Sequence, residues 1–307
     1  MKKILFSLII LLASIISAQS NYQVIINGSV DDALMNAIYS PDGNKIAYTK
    51  TGFQGIWVYN IQSNFSTQIT DEAAAGFGYK WSADSKSILS RVAKYEDGKR
   101  YNAVKIFNLE TNQNLQLTNY RTMMPYLPSW IDGDSKVFLP AKDVDVTFVT
   151  GKEKNSSIKN NILAFEKNNK IVVKNLDNNS EKSLDIIKDA QYLNVSSSPD
   201  GAKIVFEVLG GNMFVVNSNG TNLIDLGNGD NPRWSNDSRK IVYMITEDDG
   251  HDFLASDILI VNVDGTQKTN LTNTNDLLEM NPTFTPDDKS IVFDLYNDGS
   301  IYLMNIE

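Results

Sequence analysis

Cysteine is absent from the chain, and histidine occurs once, at His251. The first absence excludes disulfides, thiolate metal sites, a cysteine nucleophile and a lipoprotein acylation site. The second excludes zinc sites built from several imidazoles. Basic residues are in deficit: 28 Lys and Arg stand against 37 Asp and Glu, for a formal net charge of −9. Such an acidic chain has no electrostatic footprint for nucleic acid or an anionic membrane surface. Beyond Ile16 no apolar run is long enough to span a bilayer. No G-x-S-x-G elbow occurs either, which removes a serine peptidase of the α/β-hydrolase kind.

The start of the chain is a targeting pattern. Lys2 and Lys3 precede an apolar run from Ile4 to Ile16, closed by the small residues Ser17-Ala18-Gln19. That order is a secretory signal peptide, too short to be a comfortable membrane span. It predicts a signal peptide over 1–18, with cleavage after Ala18, and one domain over 19–307. The protein is then periplasmic or extracellular.

The rest of the chain is repetitive. The phrase SPDGNKIAY opens at Ser40 and returns as SPDGAKIVF at Ser198, with weaker copies at Ser82, Trp130, Ser235 and Thr285. Each turn leads to an apolar residue that starts a β-branched or aromatic run: Ile46, Ile88, Val137, Ile204, Ile241 and Ile291. Seven residues earlier stand Tyr39, Trp81, Trp130, Ser197, Trp234 and Phe284, five of the six being aromatic. A second series of strands ends at Asn60, Asn108, Asn175, Asn217, Asn262 and Asn305. Nine residues after the first five of these come Ile69, Leu117, Leu184, Leu226 and Leu271.

Short β-rich runs bounded by Asn, Asp, Gly and Ser, without helical periodicity, predict strands. Their regular recurrence predicts a six-bladed all-β propeller of four-stranded antiparallel blades. The sixth copy stops after IYLMN at Glu307, and the segment YQVIIN from Tyr22 is an orphan strand. The N-terminal strand is therefore expected to complete the last blade and close the ring. The interval from apolar anchor to asparagine is 13 or 14 residues in copies one, four and six, but 20, 38 and 21 in copies two, three and five. The longest is read as an insertion over about 142–161 in blade three, with ILAFE from Ile162 folding back on KIVVKN to extend that blade.

The pattern S-P-D-G-x-K-I-x-[FY], then a strand ending in Asn, then a strand ending in L-T, resembles the repeat of TolB-type propellers, a WD40-like class. SPDGNKIAY, SPDGAKIVF, NPRWSNDSRKIVY, NPTFTPDDKSIVF, LQLT and TNLT carry the resemblance over nearly all of the mature chain. TolB-type proteins also have an N-terminal α/β domain, for which no counterpart is expected here. The resemblance implies a protein-binding propeller of the cell envelope.

Within that frame the turn aspartates Asp42, Asp84, Asp134, Asp200, Asp237 and Asp287 read as turn formers on separate blades, not as a metal or catalytic set. One innermost-strand position reads differently. Three residues before each aromatic anchor stand Asn36, Gly78, Leu127, Asn194, Asn231 and Asn281. Four asparagines at one level would ring the mouth of the channel and bind a ligand through their amides, or else satisfy their own blades. Lys80, Arg233 and Glu279 are nearby charges. The expanded loops add Tyr95 and His251, the latter beside Asp248, Asp249 and Asp252, which lack the spacing of a calcium loop. The expectation is a non-enzymatic binding module for an envelope protein or peptide, monomeric, with no nucleic acid, membrane insertion, metal or cofactor. The alternative is a carbohydrate hydrolase or lyase acting in the channel.

Overall fold

Short runs of Val, Ile, Phe and Tyr cut by Asn, Asp and Gly turns fold only by pairing with their immediate neighbours in sequence, and they do so as antiparallel meanders. The computed structural model describes residues 22–155 and 161–307, so the signal peptide and its cleavage point lie outside the described residues. Seven sheets result, not six. Blade 1 is Leu34–Tyr39, Lys45–Lys50, Gln54–Asn60 and Phe65–Thr70; blade 2 is Lys80–Trp81, Ser87–Glu96, Lys99–Asn108 and Asn114–Gln116. Blade 3 has three strands, Ser129–Ile131, Lys136–Leu139 and Val146–Val149, and so has blade 4, Ile162–Lys167, Lys170–Asn175 and Glu181–Leu184. Blade 5 is Tyr192–Ser197, Lys203–Val208, Met213–Asn217 and Ile224–Gly227; blade 6 is Asp230–Trp234, Lys240–Asp248, Phe253–Asn262 and Thr269–Asn270. Blade 7 joins Glu279–Phe284, Ser290–Leu295 and Ser300–Asn305 to the N-terminal strand Tyr22–Ile26.

The extra blade comes from the supposed insertion. Val146–Val149 pairs with Lys136–Leu139 and is the third strand of blade 3. ILAFE does form a hairpin with KIVVKN, through Ile162↔Asn175 to Lys167↔Lys170. That hairpin opens a separate sheet instead of widening blade 3. Blade 3 holds the turn phrase without a closing strand, and blade 4 holds the asparagine and the closing strand without a turn phrase. Together they count as one complete repeat, which is why the sequence reads as six.

The anchors fasten neighbouring blades. Trp81 Nε1 donates to the Ile38 carbonyl at 3.0 Å, Trp130 Nε1 to Lys80 at 3.2 Å and Trp234 Nε1 to Ser196 at 3.3 Å. Each thus reaches back to the innermost strand of the preceding blade. Ser197, the non-aromatic member, does the same with Oγ to the Ile162 carbonyl at 3.0 Å.

The opening turn phrase is a second fastener. Ser40 Oγ donates to Asp42 Oδ1 at 2.6 Å, and the Asn44 amide donates to the same oxygen at 3.1 Å. Partial burial works against the carboxylate, but these bonds and Lys45 hold its pKa down to about 2. The fourth residue of every phrase is left-handed: φ is 73° at Gly43 and Gly201, 60° at Ser85, 69° at Asp134, 64° at Ser238 and 59° at Asp288. Where glycine is missing, the side chain gained accepts a backbone amide of the preceding blade. Ser85 Oγ takes Asp42 N at 3.0 Å, Asp134 Oδ2 takes Ala83 N at 2.6 Å and Ser238 Oγ takes Asp200 N at 3.1 Å. Asp288 takes the amides of Asn236 and Asp237 at 2.8 and 2.9 Å. Asp134 therefore stands in the glycine's place of its turn, not in the aspartate's.

Candidate functional site

An innermost propeller strand must bend along the channel wall, and here it bends at a bulge. The ladder between the first two strands slips between Met35 and Ile38, Leu193 and Ser196, Asp230 and Arg233, and Met280 and Thr283. In each gap sits the asparagine of the repeated position, left-handed at φ 55° (Asn36), 48° (Asn194), 54° (Asn231) and 52° (Asn281). Asparagine is the side chain that tolerates this region best, so the backbone selects it. Gly78 meets the same demand at φ 68°, and a Cβ there would lie 2.3 Å from Leu127 Cδ1.

A bulge leaves an amide without a ladder partner, and the preceding blade supplies one. Glu207 Oε1 accepts Asn231 N at 2.6 Å, Asp294 Oδ1 accepts Asn36 N at 2.9 Å, and Met244 Sδ lies 3.5 Å from Asn281 N. The asparagine amides extend the circuit. Asn194 Nδ2 donates to Glu207 at 2.8 Å, Asn231 Nδ2 to Asn281 Oδ1 at 3.0 Å and Asn281 Nδ2 to Asp294 Oδ2 at 3.0 Å. Tyr79 Oη joins it from blade 2, donating to the carbonyl oxygen of Asn36 and to that of Ala47 at 2.8 Å. The arc runs from blade 5 through blades 6, 7 and 1 to blade 2.

Burial pushes Asp294 up to about 7, despite the bonds from Asn281 and from Asn36 N. Burial likewise raises Glu207, opposed by Asn194, by the Asn231 amide and by the charge of Arg233. Both acids were missed in the sequence, although the signal is there. Each is a carboxylate inside an otherwise apolar second strand, IVFEV and IVFDL.

Two residues past the bulge, Lys80 and Arg233 sit at equivalent positions on the first strands of blades 2 and 6. Both residues are exposed, yet neighbouring protein desolvates their charged ends. That enclosure, and then the charge of Arg233, brings Lys80 down to about 8. Enclosure lowers Arg233 as well. The structure thus links the four asparagines through Glu207 and Asp294, and places Lys80 and Arg233 two residues past the bulges of their own blades. It leaves three sequence candidates elsewhere. Glu279 is fully buried, accepts Thr274 Oγ1 at 3.0 and 3.1 Å and lies outside the circuit.

Tyr95 and His251 stand on hairpins. The second and third strands of blade 2, Ser87–Glu96 and Lys99–Asn108, have 10 residues each, and those of blade 6, Lys240–Asp248 and Phe253–Asn262, have 9 and 10. They rise on the face opposite the turn phrases. Their ends expose Tyr95 (63%), Phe253 (46%) and Leu254 (58%). His251 is exposed beside them, its backbone amide on Asp249 Oδ1 at 2.9 Å. Met123, Leu209 and Tyr296 add exposed apolar surface on the same face. A cleft of about 460 Å³ opens there between blades 5 and 6, lined by Leu193, Glu207, Leu209, Asn212 and Asp230. Among the described residues no group of three or more His, Asp or Glu is placed to hold a metal ion.

The fold is shared with solved TolB structures. TolB from Acinetobacter baumannii superposes with a TM-score of 0.56 at 18% identity, covering 82% of this chain and 57% of that one. The chain thus spans little more than half the length of that protein. A candidate TolB from Agrobacterium tumefaciens gives 0.55 at 16% identity, covering 90% and 91% of the two chains. An oligogalacturonate lyase solved with manganese gives 0.48 at 14% identity over 89% and 76%, too distant to bear on chemistry. No family model and no curated protein matches the sequence. The likeness to TolB-type propellers read in the repeat holds at the level of fold.

Proposed function

We propose that this propeller is an exported, non-enzymatic module that holds a protein or peptide of the cell envelope on its loop face. The observation that carries the reading is the pair of raised hairpins on blades 2 and 6. They stand across the ring from one another and present Tyr95, Phe253 and Leu254 to solvent. Exposed aromatic and aliphatic groups on irregular loops above a rigid scaffold are what a partner interface is made of. The channel supports the non-enzymatic part, since Glu207 and Asp294 already accept bulge amides and asparagine amides. Carboxylates so engaged are poorly placed to act as acid and base on a glycosidic bond. The resemblance of the repeat to TolB-type propellers points the same way.

The test is capture from an envelope extract with the mature protein and with a Tyr95→Ser/Phe253→Ser/Leu254→Ser variant. A partner is expected with the former and at least tenfold less of it with the latter, at equal melting temperature. Equal recovery by both would remove the loop face from recognition.

A further inference from the structure

The raised hairpin of blade 2 outgrows its neighbour. Ile88 and Val137 are equivalent anchors, so Leu139, the last residue of its strand in blade 3, stands level with Ser90. Residues 91–96 and the strand that returns from Lys99 continue past it, by about 20 Å at the ordinary rise of a strand. Leu89, Val104 and Ile106 fill the seam with blade 3. By strand alternation the pairs Arg91↔Val104, Ala93↔Asn102 and Tyr95↔Arg100 carry that same side upward as a wall. The other side is closed from within: Val92 and Ala103 pack in the seam with blade 1, and Lys94 is paired with Glu96 at 2.7 Å.

The wall holds three arginines joined by contacts. At its foot the run-in to blade 3 crosses, where Asn102 and Arg121 exchange backbone bonds at 2.8 and 3.0 Å. Arg100 Nε donates to Asn102 Oδ1 at 3.0 Å. Arg91 Nη1 donates to the Met124 carbonyl at 2.8 Å, and the guanidinium lies 5.6 Å from the Phe77 ring centroid. None of the three arginines, nor Asp97 in the tip turn, forms an ion pair among the described residues. Arg91 Nε is buried without a hydrogen-bond partner among them. The neighbouring charge that acts on Arg91 is Arg100, not a carboxylate. In a chain where acids outnumber Lys and Arg by 37 to 28, three adjoining guanidinium groups left without a carboxylate are a local demand for negative charge. Tyr95, 63% exposed, stands directly opposite Arg100, and Met123, 71% exposed, lies in the run-in at the foot.

We infer that this wall docks an acidic segment of the protein held on the loop face, its carboxylates meeting Arg91, Arg100 and Arg121 and its apolar groups lying on Tyr95. The inference rests on the loop-face reading and gives the partner its chemistry.

The test is titration of the mature protein with fluorescein-labelled hexaglutamate, read by anisotropy at low ionic strength. A chain of net negative charge repels such a peptide, so saturable binding requires a local basic site. Arg100→Gln/Arg121→Gln should weaken binding at least tenfold at equal melting temperature, both residues being exposed. Arg239→Gln/Lys289→Gln removes the same charge from the turn-phrase face and should leave binding within twofold. No binding, or equal loss in the two variants, overturns the wall. The unmutated protein gives a readout that no folding defect can confuse: with 13C-methyl methionine, the peptide should shift the Met123 signal and leave that of buried Met304, and an unmoved Met123 overturns the proposal. Sedimentation of the protein alone checks the other occupant. A salt-sensitive dimer lost in the Arg100→Gln/Arg121→Gln variant would give the wall to the acidic hairpin tip of a second copy, Glu247 to Asp252, and overturn the foreign partner. Envelope capture separates the two readings. A partner lost with the Tyr95→Ser/Phe253→Ser/Leu254→Ser variant but kept by the arginine variant overturns the wall alone, whereas a partner kept by both overturns the loop face and the wall with it.

Discussion

Two seams of the ring show what holds a propeller together. Between blades 1 and 2 lies an apolar cluster of Ala47, Ile56, Val58, Tyr79, Trp81, Ile88, Val92 and Phe107. Comparable clusters fill the seams 2–3, 4–5, 5–6, 6–7 and 7–1. The seam between blades 3 and 4 has no cluster of this kind among the described residues. It is bridged by Phe138 and Phe165, ring centroids 5.4 Å apart, by Lys174 Nζ 5.2 Å from the Phe138 ring, and by the Lys167–Asp145 ion pair at 2.7 Å. It also has neither a tryptophan anchor nor a turn-to-turn bond, because blade 4 carries no turn phrase. The seam between the two three-stranded blades is also the one with the least apolar burial, and it should open first.

The largest test sets the two seams against each other. Trp81→Ala should cost about 3–5 kcal/mol in denaturant unfolding, from cavity formation and the lost bond to Ile38. Phe165→Ala, at the weaker seam and only half buried, should cost about 1–2 kcal/mol. Native-state hydrogen exchange should show amides of blades 3 and 4 opening before those of blades 5 and 6. Equal costs, or uniform protection around the ring, would break the comparison.

A second test uses the acid at seam 7–1. Asp294 clips blade 7 to the Asn36 amide, whereas the matching residue of blade 3 is Pro140, with no side-chain acceptor. The folded carboxyl titrates near 7 and the unfolded one near 3.8. The folded state therefore keeps the proton longer, and this group's contribution falls as pH rises from about 4 to 7, then stays level. Glu207 acts in the same direction. Turn aspartates such as Asp42 act oppositely and in another window, losing their contribution as pH falls from about 4 toward 2. Asp294→Asn should remove on the order of 4 kcal/mol of the decline between pH 4 and 7. An unchanged slope in urea melts across that range would show that Asp294 is not the group responsible.

The smallest effect sharpens the picture of a well-filled seam. Tyr243 is fully buried between blades 5 and 6, and its hydroxyl has no partner among the described residues. Tyr243→Phe keeps the ring and removes an unsatisfied polar atom, so stability should hold or rise by about 1 kcal/mol. A loss of more than about 1 kcal/mol would mean that the hydroxyl is bonded after all.

Much of the architecture is legible in the residues. The turn phrase, the aromatic anchor seven residues before each apolar anchor and the asparagine at the end of each third strand mark the blades because each answers a local demand. Only certain residues fit a tight turn, and at three of the anchors a tryptophan N–H reaches back to the neighbouring blade. The orphan segment from Tyr22 found its place for the same reason, as the strand that blade 7 lacks. The site was partly legible. Asn36, Asn194, Asn231 and Asn281 were found by their spacing, and the left-handed bulge accounts for asparagine at that position.

What the sequence by itself determined, then, is the repeat: strand, turn and anchor, each set by contacts within a few residues. The number of blades was decided only in three dimensions. Val146–Val149 and ILAFE are equally good strands whether they lengthen one sheet or divide into two. Only the packing of Ile162–Lys167 against the first strand of blade 5 settles which. The same holds for the channel. Lys80 and Arg233 are 153 positions apart, and no local pattern relates them. They come to equivalent places on the innermost strands of blades 2 and 6 only because the closed ring repeats one blade geometry.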